Sequence, residues 1–449
     1  MQSRESTPPP AVAGEPSSQS ARRKPRDGFR TRHRAASHRS AHADPPPPPE
    51  PSLHHPLVPR GIEPLIIDQA HLDQMLAALR SAGSFAYDSE FIGESSYHPR
   101  LCLIQVATTQ HIWLIDSLAD INLHPFWELL ADPSVEKLVH AGEQDLEPVV
   151  RHLGRAARNI LDSQIAAGFA GMAYPCALSK LVLELTGVKL GKGLTFTDWS
   201  QRPLSTVQLR YAADDVRYLP ALSSLICARM SNPDYERWAR SESEAMGDPS
   251  RFQFNPDVDY LRIRGAGNLP PQQLAVLREL AIWREKAAEH ADAPPRAFLK
   301  DDVLLALARS PVKSSNQFAR IRGLPRPVEG EHGDTIIALT AKGLSADIDH
   351  LPPKPAEPSP TQRFEAEAFT AAFQSIVAGR AIDPNLIASR QEIGEFYRCL
   401  SGDSDPSDLK IMRSWRREAI GDELIALFKE GKLYEMNWTG GLKVLPKSP

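Results

Sequence analysis

The sequence predicts an α/β fold, a mixed β-sheet flanked by helices, and three observations lead there. Strand-like runs at 85–91, 101–107 and 112–116 follow one another across short connections, as in an antiparallel meander. Beyond them the rhythm changes to alternating helix and strand, which together with the meander means a mixed sheet with helices on its faces. The length of 449 residues, 41% of them hydrophobic and 7% aromatic, allows two or three domains of ordinary globular composition.

The globular pattern begins at Leu65 with a short strand, and a helix follows over 68–82. In 85–91 the aromatic residues Phe85, Tyr87 and Phe91 alternate with Ala86, Asp88 and Glu90. Strand side chains repeat every two residues, so Asp88 and Glu90 leave the same face. The run 101–107 is rich in apolar residues, and a turn at 108–110 leads into 112–116. A helix is expected near 125–131, a buried strand at 137–140, a helix from about 143 and a short strand at 158–161. A long helical pattern then runs over 205–230.

Residues 1–60 differ from all of this. They hold Pro8-Pro9-Pro10, an Arg-rich block over 22–39 and a proline run over 45–49, with too few large apolar residues to offset the entropy of ordering, so a disordered tail is expected. The tail's ten Lys/Arg against five Asp/Glu give it a net charge of +5, which leaves −9 on the remaining 389 residues of a chain whose total is −4. A mildly acidic body argues against coating nucleic acid through bulk charge and leaves room for an enzyme with a localised cleft. Cys102, Cys176, Cys227 and Cys399 have no zinc-like spacing and read as reduced thiols. No segment reaches the roughly 18 uncharged apolar residues of a membrane span, and no apolar leader is seen, so a cytoplasmic protein is expected.

Three acidic motifs carry the chemistry. Two carboxylates as close as Asp88 and Glu90 repel, so one takes up a proton or a cation settles between them, and a divalent metal is the natural occupant. By itself the pair equally describes a solvated strand end. In the second motif, His140-Ala141-Gly142-Glu143-Gln144-Asp145-Leu146-Glu147, a strand ends, Gly142 permits a tight turn, and Asp145 falls in the first turn of the next helix. A helix-start acid is favoured there by the dipole alone, yet strand ends are also where open α/β sheets bind ligands. In the third, Tyr211 and Asp215 are four apart and share a helix face, whereas Asp214 is turned about 100° away. Surface pairing is the alternative for that Tyr and Asp.

Taken together, in this order over about 130 residues, the motifs D-x-E, H-A-G-x-x-D-L-E and Y-x-x-x-D resemble the Y-type branch of the DEDD 3′–5′ exonucleases, and most closely the ribonuclease D family. Asp162-Ser163-Gln164, Thr197-Asp198-Trp199 and Arg202-Pro203-Leu204 are similar to that family as well. So are Leu277 to Arg284, Pro295, 301–308 and Ile321-Arg322-Gly323, which look like a helical HRDC domain. Leu386 to Arg390 and Ser414-Trp415-Arg416 resemble a second, HRDC-like domain.

The resemblance leaves the basic, Pro-rich tail over 1–60 as an addition, and it implies a ribonuclease H-like exonuclease domain over 61–245, an HRDC domain over 268–350 and a second all-α HRDC-type domain over 361–446. It implies that Asp88, Glu90, Asp145 and Asp215 hold two divalent ions, Mg²⁺ or Mn²⁺, with Asp88 bridging them and Asp145 acting partly through water, and that Tyr211 orients the attacking water. Such an enzyme trims the 3′ ends of RNA, tRNA precursors above all, to nucleoside 5′-monophosphates, without a membrane or an obligate protein partner. A DNA-directed exonuclease and a non-catalytic RNA-binding scaffold share the fold and remain open. Two departures stand out: the loop 192–197 carries Leu, Thr and Phe where polar or basic residues are common, and Asp214 occupies the place of a small residue. His140 and Asp162 are read as supports of the site, Trp199 and Arg202 as loop anchors, Trp283 and Trp415 as helix-core residues, and Lys300, Lys313, Arg320 and Arg322 as phosphate contacts or a solvated face. Since every candidate catalytic group precedes it, a chain ending near Gly247 is expected to keep hydrolysis of short RNA.

Overall fold

Three strands, β1 (Ser84–Ile92), β2 (Arg100–Ala107) and β3 (Ile112–Ile115), form the expected antiparallel meander. Two more, β4 (Glu136–Val139) and β5 (Ile160–Asp162), add in parallel to the other edge of β1, giving the order β3-β2-β1-β4-β5. This is a computed structural model describing residues 55–93, 95–191, 193–194, 197–348, 358–402, 404–431, 434–438 and 442–446. The expected tail therefore lies outside the described residues, apart from 55–60.

β4 pairs with β1 only at Ser84, Phe85 and Ala86, so the later half of β1, with Asp88 and Glu90, runs on past β4. Alternation along β1 sends Phe85 and Tyr87 to one face, where they join Ile104, Val106 and Ile160 beneath α1 (Gln69–Ala82), α2 (His124–Leu130) and α3 (Glu147–Leu153). Ala86 goes to the other face, with Leu138 and Leu161, beneath α6 (Thr206–Arg217) and α7 (Leu219–Arg229). Around this sheet α4 (Ser163–Phe169), α5 (Leu178–Thr186) and α8 (Pro233–Met246) complete the domain.

Three local expectations are refined. The helical pattern over 205–230 is two helices that part at Tyr218, because Pro220 has no N–H for a helical bond and sits instead in the first turn of α7. The strand expected at Leu65 is a single parallel bridge from Ile66 to Ile115. The helix expected from about 143 opens as a 3-10 turn, Gln144–Leu146, before α3.

The first helical region comprises α9 (Pro271–His290), α10 (Pro295–Phe298), α11 (Asp301–Arg309) and α12 (Arg326–Leu344) around Leu277, Leu280, Leu304, Leu307 and Ile336. Tyr260, Ile263 and Ala266 belong to the same core, which thus begins ahead of residue 268. The second comprises α13 (Pro360–Gly379), α14 (Pro384–Ile387), α15 (Arg390–Ser401), α16 (Ser414–Arg416) and α17 (Asp422–Lys429). It is not all-helical: β6 (Tyr434–Trp438) and β7 (Leu442–Pro446) end it as an antiparallel hairpin. The hairpin rests on α13 where Gly379 leaves room, since a Cβ there would lie 2.8 Å from the Val444 nitrogen.

The two helical regions meet the exonuclease domain differently. The first touches it through Tyr97, whose hydroxyl donates to Glu285 Oε1 (2.7 Å) and whose N–H donates to Asp292 Oδ1 (3.1 Å). The second shares its core. Phe169 meets the Trp415 ring at 4.9 Å, Trp238 stacks on Trp415 at 5.9 Å, and Phe373, Ile376 and Leu386 join the same apolar cluster. Arg416 grips Glu242 with two nitrogens, at 2.5 and 2.7 Å, and the Trp415 indole donates to the same carboxylate at 2.8 Å. Trp415 is a core residue, as expected, but of a core common to both regions. Among the described residues no helix is long and apolar enough to cross a membrane.

Candidate active site

Asp88 and Glu90 leave β1 on the face covered by α6, and Asp215 comes down on them from that helix. Each offers a carboxylate oxygen, and the three lie within 4.8 Å of one another. Helix α6 approaches closely because Ala212 and Ala213, both fully buried, face the sheet. Its start is fixed by a capping box in which Ser205 and Gln208 satisfy each other's backbone N–H. One turn before Asp215, Tyr211 brings its hydroxyl beside that carboxylate.

Asp214 is not among the three convergent carboxylates, although it lines the cavity beside them and its charge helps to raise Asp215. Arg217 Nε donates to it at 2.8 Å and Arg210 Nε lies 3.8 Å away, so the extra charge noted in the sequence has cationic partners on α6 itself. Asp215→Asn is therefore expected to reduce hydrolysis by orders of magnitude, and Asp214→Asn by much less, since Asp215 and not Asp214 is one of the three convergent carboxylates. Steady-state hydrolysis of a short RNA by both variants checks the register of α6; the reverse ranking would refute it.

Asp145 stands beside the three acids and not among them. It sits in the 3-10 turn after β4, where it accepts a hydrogen bond from Ser89 Oγ, and its backbone carbonyl accepts one from the Tyr87 hydroxyl at 2.7 Å. Ser89 and Tyr87 project from the opposite face of β1 to Asp88, so one strand positions acids on both of its sides. The turn itself is built tightly. Gly142 has no space for a side chain, since a Cβ would come within 2.7 Å of Val139 Cβ, and its N–H donates to Asp162 Oδ2 at 3.0 Å. Asp162 also caps α4 through Gln164 and Ile165, while His140 Nδ1 lies 2.9 Å from Ser163 Oγ. Asp162 and His140 thus hold the segment that carries Asp145.

The electrostatics of the cluster favour a cation. Burial first, and then Asp145, Asp215 and Glu90, raise Asp88 well above the usual carboxylate range. Burial and its neighbours lift Glu90 to about 8 and Asp215 to about 7, and burial lifts Asp145 to about 6. Convergent carboxylates that resist ionising together are stabilised by positive charge, and an all-oxygen donor set fits hard divalent ions such as Mg²⁺ or Mn²⁺.

Arg202 ties the two halves of the site together. The β1–β2 register slips between Glu90 and Phe91, which leaves Cys102 unmatched on β2. Arg202 Nη2 donates to the Cys102 carbonyl at 2.8 Å, and its guanidinium grips Asp116 with two bonds of 2.6 Å and the Trp199 carbonyl at 2.8 Å. Arg202 and the buried Trp199 are thus the loop anchors expected of them, placed just before α6. A cavity of about 610 Å³ opens beside the cluster, lined by Leu178, Val188, Leu190, Leu194 and Val207 together with Tyr211 and Asp215. Lys192, Thr195 and Phe196 of the unusual loop lie outside the described residues. Ser89, Tyr87 and Asp116 carry no local signature of a role, because their partners are 56, 58 and 86 residues away.

The chain is similar to known proteins over most of its length. A 3′–5′ exonuclease family model matches residues 65–227 and an HRDC domain model matches 273–340. The chain is 33% identical over 380 residues to ribonuclease D of Gluconacetobacter diazotrophicus, covering 82% of this chain and 93% of that protein. It is 34% identical to ribonuclease D of Pseudomonas paraeruginosa, covering 80% and 96%. The crystal structure of Escherichia coli RNase D, an exoribonuclease involved in structured RNA processing, superposes with a TM-score of 0.72 at 29% identity, covering 82% of this chain and 99% of that one.

Proposed function

Because the chain belongs to the ribonuclease D family of 3′–5′ exonucleases, we propose that it trims the 3′ ends of structured RNAs, tRNA precursors foremost, to nucleoside 5′-monophosphates in the cytoplasm. The observation that carries this reading is the convergence of Asp88, Glu90 and Asp215 beneath the Tyr211 hydroxyl. Asp88, Glu90 and Asp215 would hold two divalent ions, Mg²⁺ or Mn²⁺, and Asp145 would support them from its place against Ser89. When bound, the pair of ions lowers the pKa of water and neutralises charge on the leaving 3′ oxygen. Tyr211, anchored by Asp215, orients the attacking water. The cavity beside it is the space for the terminal nucleotide.

The helical regions serve binding. Lys300, Lys313, Arg320 and Arg322 are exposed and form no ion pair among the described residues, which supports a role against RNA phosphates. The reading is tested by incubating the protein with a 3′-extended tRNA and a matched DNA strand, with and without EDTA. Progressive shortening of the RNA alone, stopped by EDTA, is expected; preferential shortening of DNA would overturn the RNA assignment.

Tyr211→Phe separates the hydroxyl from the ring. The ring packs 6.2 Å from Trp199, and the variant keeps that contact and all four acids. Single-turnover hydrolysis of a 3′-labelled RNA at saturating metal is expected to slow by about 10²–10⁴-fold, with KM little changed. A raised KM at an unchanged single-turnover rate would make Tyr211 a stacking residue.

A further inference from the structure

Gln105 is a fully buried amide in an otherwise apolar strand, and among the described residues it is the one side chain with two buried polar atoms unpaired. Its position is informative. In the β1–β2 register Gln105 stands directly opposite Asp88, and in the β2–β3 register opposite Leu114. Paired residues of antiparallel strands project from the same face, with Cβ atoms about 4.5–5.5 Å apart. Gln105 therefore occupies the layer between the sheet and α6, next to the carboxylate of Asp88 and among Ala107, Ile112, Leu103 and Leu114.

A buried amide with neither group paired is disfavoured, and an apolar residue would fill this layer at less cost. Carboxylates that ligate metals, in turn, are themselves oriented by hydrogen bonds from a surrounding shell of groups. Resting on the exonuclease reading above, we propose that the Gln105 amide donates to the Asp88 carboxylate and holds it in its metal-bridging orientation. Side chains paired across antiparallel strands lie within reach of one another, and a bond to Asp88 would supply the partner this amide lacks. Ala107, Ile112, Leu103 and Leu114 around it offer no side-chain acceptor, and Asp88 is the residue directly opposite on β1. Gln105 is thus a positioning residue that acts through a ligand and touches neither RNA nor water in the reaction.

The test uses the full chain and two apolar replacements of similar volume, Gln105→Met and Gln105→Leu, with Asp88→Asn as control. Calorimetric titration of the metal-free proteins with Mn²⁺ is expected to show weakening on the order of 10–100-fold in both Gln105 variants. Both variants are expected to melt cooperatively without metal, because an apolar side chain of similar volume fills the buried layer. The kcat for a short RNA should fall at limiting Mn²⁺ and recover at high Mn²⁺, with KM for RNA unchanged. Wild-type Mn²⁺ affinity in either folded variant overturns the proposal, and so does failure of both variants to melt cooperatively, which would make the amide part of the fold itself. If the wild type binds Mn²⁺ no better than Asp88→Asn does, the metal-site reading fails instead.

Discussion

Replacing Asp88 by Asn is expected to lower hydrolysis by more than about 10³-fold, beyond the loss of a single transition-state donor, and to make the metal-free protein more stable at pH 8. Both effects have one cause. In the metal-free site Asp88 is held well above the usual range, Glu90 at about 8, Asp215 at about 7 and Asp145 at about 6. In an unfolded chain such groups titrate near 4. Between these values the folded state keeps protons that the unfolded chain has released. The associated stability is fully present below about pH 4 and is lost as the pH rises through about 6 to 8.

An amide at position 88 carries no charge and escapes part of that loss, so the advantage of the variant is largest near pH 8 and vanishes toward pH 4. Saturating Mg²⁺ or Mn²⁺ reverses the order, because binding to the folded state stabilises the wild type and the variant has lost the shared ligand. Thermal unfolding across this pH range, with EDTA and with each metal, reads both arms. A variant less stable than the wild type at pH 8 in EDTA contradicts the electrostatic account, and retained hydrolysis contradicts the assignment of Asp88.

Much of this site is legible in the sequence because it obeys local periodicities. Two residues along a strand place Asp88 and Glu90 together, and four along a helix place Tyr211 over Asp215 while turning Asp214 toward Arg217. The sequence puts Asp145 in the first helical turn after a strand, but its bond to Ser89 depends on where β4 lies beside β1, which no local pattern encodes. Gln105 hides in an apolar run, and only the register opposite Asp88 gives it meaning. The break at Tyr218 had a signal in Pro220, outweighed by the helical pattern on either side. The closing hairpin had one too, in the alternation of Tyr434, Met436 and Trp438 ahead of Gly440-Gly441. Least visible is the shared core. Phe169 and Trp415 are each plausible in a core of their own, and nothing along the chain says that the two cores are one.

That shared core changes what truncation should do. With every acid and Tyr211 located before Gly247, a fragment ending there contains the whole chemical site, and the sequence alone suggests that it survives. In the folded chain the face carrying Phe169, Tyr235 and Trp238 is covered by Phe373, Ile376, Leu386 and Trp415. Fully burying such a side chain is worth about 1.5–3 kcal/mol, so uncovering three or four of them removes a large share of the roughly 5–15 kcal/mol that holds a domain folded.

The fragment is expected to be insoluble or to melt tens of degrees below the full chain, and a chain ending at residue 348 should fare no better, since the first helical region does not cover that face. A protease site introduced within 349–357 of the full chain distinguishes covalent from packing effects. After cleavage the two pieces should co-elute and keep hydrolysing short RNA, because the contacts of Trp415 and the Arg416–Glu242 pair do not depend on the link. A soluble fragment ending at Gly247 that melts cooperatively near the full-length temperature, with undiminished single-turnover hydrolysis, would mean that this interface is dispensable and that the exonuclease domain stands alone.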